Sequence, residues 1–303
     1  QNTVLLHLKL NPRRELSTLI RCYGQPYADP VALRSLAVAR LLRPHVRAIL
    51  TGLGGEAILG GRGYDWALVA ADVLRWLPSD LFRPASRLLG RRQDRNTRPG
   101  QMQRLMASAG RRPDEHYLAW ATTLLTKEEK QRWWRSSAVR PTDEWLQTVL
   151  PLGLGSLDTQ LSGEQRTSLV SSVLMNLDTA TMAAGIEGRA PMMDHPLVEF
   201  AATLPDTLRT QPSVLAQTDP VPDGWPPPPS VFITGWMRGS LRPWVLDTLG
   251  QSNAEVRTWL RDELVDGLID GKLLPRRRAH VLYALLVLEL WLRHNRLTPS
   301  SAS

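Results

Sequence analysis

Two stretches of this chain carry residue types that could do chemistry. In AILTGLGGEAILGGRGYDW, Ala48 to Trp66, glycines crowd between a short apolar run and an aromatic-rich segment. Gly52, Gly54 and Gly55 can take up φ > 0 and let the backbone approach a ligand, and consecutive N–H groups ahead of a helix favour an anion such as phosphate. The loop lacks the lysine and hydroxyl of a Walker A motif, and its glycine spacing is not the dinucleotide fingerprint. Two readings stand at this point: an anion cradle, or a tight turn whose Ile58 and Leu59 pack inward. The second stretch, LDTATMAAGIEGRAPMMDHPLVEFAATLP, Leu177 to Pro205, sets Glu187, Arg189 and Asp194 among small and apolar residues. Charges there are costly unless they pair or bind something. Glu187 and Arg189 are either an ion pair holding a loop between helices or part of a site.

The elements that must position these residues follow from periodicity. Leu6, Leu8 and Leu10 alternate with His7 and Lys9, as in a half-buried strand. Asp29-Pro30 reads as a helix start, and ALRSLAVARLLR stops before Pro44. Val46 to Leu50 is short and apolar enough for a buried parallel strand, so helix, strand, glycine loop and helix make an α/β unit. Beyond about residue 77 the chain reads as mainly helical. Helices are expected over Leu68–Leu77, Glu115–Leu125, Glu144–Leu150, Gln165–Leu174, Arg242–Leu249, Ala254–Leu268 and Arg278–Arg293. GRRQDRNTRPG, Gly90 to Gly100, and the proline-rich Gln211 to Ser230 read as surface loops, since neither can bury enough apolar surface.

With 43% hydrophobic residues in 303, the chain can bury a sizeable core. Its formal charge of +8 comes almost wholly from arginine, in short clusters such as Arg276-Arg277-Arg278. Such clusters fit solvated faces better than a nucleic-acid tract, so nucleic acid is not the expected partner. Cys22 is the lone cysteine, which excludes an internal disulfide and a cysteine metal cluster and suits a reducing compartment. The six histidines are scattered without metal-ligand spacing. The best apolar run, Val281 to Leu288, is interrupted by Glu289 and falls short of the roughly 20 residues a bilayer span needs. No membrane association and a cytoplasmic location are the expectation. The chain opens at Gln1 rather than methionine, so residues upstream are expected.

Taken together, the two stretches resemble the C-terminal synthetase domain of the asparagine synthase family, which includes β-lactam synthetases and lasso-peptide cyclases. A typical segment there is S-M-x-x-x-x-E-x-R-x-P-F-L-D-x-x-L-V-E-F; Thr181-Met182, Glu187, Arg189, Pro191, Asp194 and Leu197-Val198-Glu199-Phe200 match it. The glycine loop is similar to the family's L-[ST]-G-[ED]-G-x-D-E-L-F-G-G. Downstream, GWMRGSLRPWVLDTL and LLVLELWLRH resemble its W-L-R-G-x-L-R and L-x-L-E-x-W elements. The resemblance, over Pro26 to His294, implies an α/β, mostly helical chain: a remnant of an ATP-pyrophosphatase parallel sheet packed with a large helical part. It divides 1–303 into an α/β portion with the glycine loop (1–76), a helical portion (77–295) and a tail (296–303).

It further implies ATP-dependent amide-bond formation through an acyl-adenylate, from a carboxylate substrate and an amine donor. Gly52, Gly54 and Gly55 would lie on ATP, Glu56 on Mg2+, and Glu187 and Arg189 in the catalytic centre. The sequence departs from the pattern in several places. The first ATP loop, S-G-G-x-D-S, is absent; Leu53 and Ala57 replace acidic residues; and no lysine occurs between Lys130 and Lys272, where one should meet the pyrophosphate. Two expectations therefore stand. One is an amide ligase whose ATP loop, and a glutaminase region, lie upstream or on a separate chain. The other is a non-catalytic relative that binds a partner or peptide. On either, this chain alone is expected to be inactive.

Overall fold

A computed structural model describes residues 8, 10–60, 70, 73–74, 76–78, 81–82, 98–121, 124–125, 127–136, 142–151, 153–209, 229–271 and 275–295. The chain enters through α1 (Pro12–Tyr23) and α2 (Val31–Leu42), then β1 (Ala48–Leu50) and the short α3 (Gly55–Leu59). Asp29 starts α2 as expected: its carboxylate accepts the Val31 N–H at 2.9 Å, satisfying one of the donors a helix leaves unpaired at its N-terminus. Helices α4 (Arg98–Ser108), α5 (Pro113–Ala121), α6 (Lys127–Trp133) and α7 (Thr142–Val149) follow.

A continuous helical rod then runs from Ser156 to Ala184. It comprises α8 (Ser156–Glu164), a wider-turned π segment (Gln165–Leu174) and α9 (Met175–Ala184). The wide turns coincide with hydroxyl side chains that compete for backbone carbonyls. Thr167 donates to the Gly163 carbonyl at 2.6 Å and Ser171 to that of Thr167 at 2.7 Å. From outside, Gln165 ties the rod to the Ala57 carbonyl at 2.8 Å, and the Tyr27 and Ser172 hydroxyls meet at 2.9 Å.

After the rod come β2 (Glu187–Arg189), a single 3-10 turn (Pro191–Met193), α10 (His195–Thr203) and α11 (Asp206–Arg209). The last described part is α12 (Pro229–Arg238), α13 (Arg242–Leu249), α14 (Val256–Trp259), α15 (Asp262–Ile269) and α16 (Pro275–Asn295). The described residues are thus mostly helical, with one two-stranded parallel sheet.

The main core gathers around α16. Leu282, Tyr283, Leu286 and Val287 pack with Leu16, Leu33, Ile233, Leu241, Leu249 and Leu260. Glu289, which interrupts the apolar run of α16, is fully buried. Its carboxylate accepts the N–H groups of Glu255 at 3.0 Å and Val256 at 2.7 Å and pairs with Arg293, so it caps the start of α14 from another helix.

Several expectations are corrected here. Ala254–Leu268 is not one helix. It breaks at Leu260 and Arg261, which are extended, because Leu260 is drawn into the core and bridges Trp134 antiparallel. Arg98 to Gly100 open α4 rather than belonging to a loop; Pro229 and Ser230 likewise open α12. The remainder of those two stretches lies outside the described residues, as does half of Leu68–Leu77. Of the strand expected over Leu6 to Leu10, only Leu8 and Leu10 are described, and neither is in a strand.

Candidate functional site

The two chemically suggestive stretches meet. β1 and β2 pair in parallel with Ala48 opposite Glu187, Ile49 opposite Gly188 and Leu50 opposite Arg189. The Glu187 N–H donates to the Arg47 carbonyl at 2.9 Å, and the Thr51 N–H to that of Arg189, also at 2.9 Å. The glycine loop therefore leaves the carboxyl end of β1 directly beside the carboxyl end of β2, the end of an α/β sheet where ligands bind.

Side chains alternate across the pair. Ile49 and Gly188 face inward. Ile49 packs on Ala39, Ala184 and Ile186, while Gly188 lies so close to the rod that a Cβ there would fall 2.8 Å from Leu177 Cδ1 and 3.0 Å from Thr181 Oγ1. Ala48, Leu50, Glu187 and Arg189 share the outer face, and all four are exposed, Leu50 to 74%. That bare face departs from the rule that parallel sheets are covered on both sides.

Glu187 and Arg189 form a bidentate pair on this face, Nε to Oε1 at 2.9 Å and Nη2 to Oε2 at 3.2 Å. The hydrogen bonds from Arg189, and then its charge, hold the Glu187 carboxyl below its ordinary range. Both side chains are more than half exposed, so the pair is not an expensive buried bridge, as the apolar surroundings in sequence suggested. It is a hydrogen-bonded ion pair exposed to solvent. Asp194 is exposed at the start of α10, where its carbonyl accepts the Val198 N–H.

Within the glycine loop the three glycines have different surroundings. A Cβ on Gly52 would meet open space. Gly54 has φ +92°, and a Cβ there would fall 2.4 Å from Met193 Cε; on Gly55 it would fall 3.3 Å from Met192 Cε. Gly54 and Gly55 thus admit the 3-10 turn that follows β2. Met192 and Met193, which make that contact, carry no sequence signal that marks them. Glu56 is exposed in the first turn of α3, Leu53 is exposed beside it, and Ala57 and Ile58 are buried beneath.

As a magnesium and nucleotide site this set is incomplete. Glu56 stands as the carboxylate of the loop, and among the described residues no group of three or more histidine, cysteine, aspartate or glutamate side chains could hold a metal ion. Nor, among them, is any helix long and apolar enough to cross a membrane.

A short parallel pair, with the glycine loop leaving its carboxyl end and helices packed around it, is consistent with an α/β fold. The comparisons give the family. The asparagine synthase profile matches residues 9–215, and the chain belongs to that family. It is also 19% identical over 295 residues to asparagine synthetase [glutamine-hydrolyzing] 1 of Bacillus subtilis (strain 168). That match covers 91% of this chain and 45% of the relative, so the chain spans less than half the length of that protein.

Proposed function

We propose that this chain contributes one part of the site of an ATP-dependent amide ligase that works through an acyl-adenylate, its first ATP loop being supplied by a separate segment or chain. The observation that carries the reading is the pairing of β1 with β2. It brings the family's two motif segments to one sheet end and leaves the outer face, with Leu50, Glu187 and Arg189, uncovered. In this reading the sheet is the remnant of an ATP-pyrophosphatase fold, and a covering layer completes it. Arg189, held in its fork by Glu187, offsets the negative charge that builds up as pyrophosphate leaves, and the open backbone at Gly52 borders the phosphates. ATP supplies the activated phosphoryl anhydride when bound. The present residues do not by themselves make its magnesium site, and no step through it is assigned to them.

A second reading, a non-catalytic member of the family that binds a partner, draws support from Leu53 and Ala57, which put an exposed methyl-rich side chain and a buried methyl where the resemblance calls for carboxylates. A pyrophosphate-release assay with ATP, Mg2+ and a panel of amino acids separates the two. The chain alone should release no pyrophosphate. A preparation supplied with an S-G-G-x-D-S-bearing segment, fused upstream or added as a chain, should release it, and Arg189→Ala should abolish that release. Release by the chain alone contradicts the divided site, and a supplemented preparation that stays inert favours the partner-binding reading.

A further inference from the structure

A cleft of about 290 Å3 opens between α6 and α15, lined by Arg132, Trp133, Arg261, Glu263, Leu264 and Leu268. It shares no element with the glycine loop or β2. Its walls are tied by backbone bonds: the Arg261 N–H donates to the Trp133 carbonyl and the Arg135 N–H to the Trp259 carbonyl, each at 2.9 Å, around the Trp134–Leu260 bridge. The helix break at Leu260 and Arg261 is what turns the Arg261 side chain out beside α6.

The charges around the cleft are unevenly matched. Asp262 is engaged by Arg135 at 2.6 Å and Arg257 at 3.3 Å, and Asp266 by Arg257 at 2.7 Å. Arg132 and Arg261, both exposed, have no ion-pair partner among the described residues. Two free guanidiniums therefore stand over an apolar floor of Trp133, Leu264 and the buried Leu268, with Glu263 as the one acidic wall residue. A floor of this kind attracts an apolar body, and guanidiniums bind carboxylates through charge-assisted, directional hydrogen bonds. The volume lies at the small end of ligand pockets, about 300 to 1,000 Å3.

We propose that this cleft binds a small organic monoanion, a carboxylate on an aromatic or aliphatic body, with Arg132 and Arg261 on the carboxylate and Trp133 and Leu264 against the body. The test is calorimetric titration of 3-phenylpropionate into the full chain, with 3-phenylpropanamide as the neutral isostere. The acid should bind and the amide should bind at least about tenfold more weakly. Arg132→Gln and Arg261→Gln should each weaken the acid about tenfold, because each removes a charge-assisted bond. Glu263→Gln should tighten it by removing a like charge. All three side chains are exposed, so the variants should keep the parent circular dichroism. No saturable binding at millimolar acid, equal binding of acid and amide, or a double arginine variant with parent affinity would each overturn the proposal.

Discussion

Substituting alanine for Gly54 puts the contact between the two motif segments under direct strain. Two costs can be read from the structure. At φ +92° an L side chain is forced towards its own backbone, which costs about 1–2 kcal/mol. The new Cβ would also lie 2.4, 2.6 and 3.0 Å from Cε, Sδ and Cγ of Met193. The tip of Met193 can rotate aside, but Cγ moves only with the whole side chain, and overpacking of this kind costs about 1–3 kcal/mol. Gly54→Ala should therefore destabilise by about 2–5 kcal/mol. In a Met193→Ala background the clash is gone and the backbone cost remains, about 1–2 kcal/mol, so the double variant is better than the sum of the singles by at least about 1 kcal/mol. Urea unfolding followed by circular dichroism measures each step of the cycle. A Gly54→Ala cost below about 0.5 kcal/mol, or strict additivity with Met193→Ala, would refute the close contact between the glycine loop and the turn after β2.

Other consequences can be checked on the same preparation. Glu289→Ala removes a buried carboxylate from two backbone N–H groups and from Arg293, and should cost about 3–5 kcal/mol in urea unfolding; a cost near zero would contradict its capping of α14. Glu187, Asp114 and Asp262 are held below their ordinary range by hydrogen bonds from Arg189, Arg112 and Arg135 respectively. Their contribution is therefore present above the unfolded carboxylate range, about pH 4, and is lost as pH falls through the depressed folded values, so the urea midpoint should drop on acidification below that point. Burial pushes the Tyr27 hydroxyl up to about 12, and burial raises Tyr23 and Tyr283 as well. These groups favour the folded chain at full strength until about pH 10 and weaken it as pH rises towards their folded values, so tyrosinate absorbance should appear together with unfolding rather than before it.

How much of this was legible in the sequence depended on whether the cause was local. α2 could be bounded because the Asp29 carboxylate takes up a free N–H at its start and Pro44, which lacks an N–H, ends it. β1 and the glycine loop announced themselves in the same way. β2 did not: Glu-Gly-Arg is three residues with a glycine in the middle, and it becomes a strand only by pairing with a segment 138 residues away, as the bond from Thr51 to Arg189 illustrates. The break at Leu260 carries no glycine or proline; burial and the bridge to Trp134 impose it. Glu289 looked like a defect in an apolar run and is a cap acting across helices. At the site, the positions of Gly54 and Gly55 were legible, but the reason this structure gives for them, room for Met193 and Met192, lay in a distant segment.

The divided site is tested most directly by calorimetric titration of ATP with Mg2+ into the purified chain. Glu56 is the carboxylate the loop offers, and magnesium sites of this kind combine one or two carboxylates with phosphates that the protein already holds in place. Losing one preorganised charged group from such a site costs on the order of 3 kcal/mol, and several of those the resemblance calls for are replaced here. The expected result is no tight, magnesium-dependent binding, with at most weak heat that persists in Glu56→Ala. Tight binding that requires Mg2+ and disappears in Glu56→Ala would contradict the account, because the chain would then hold a complete nucleotide site of its own.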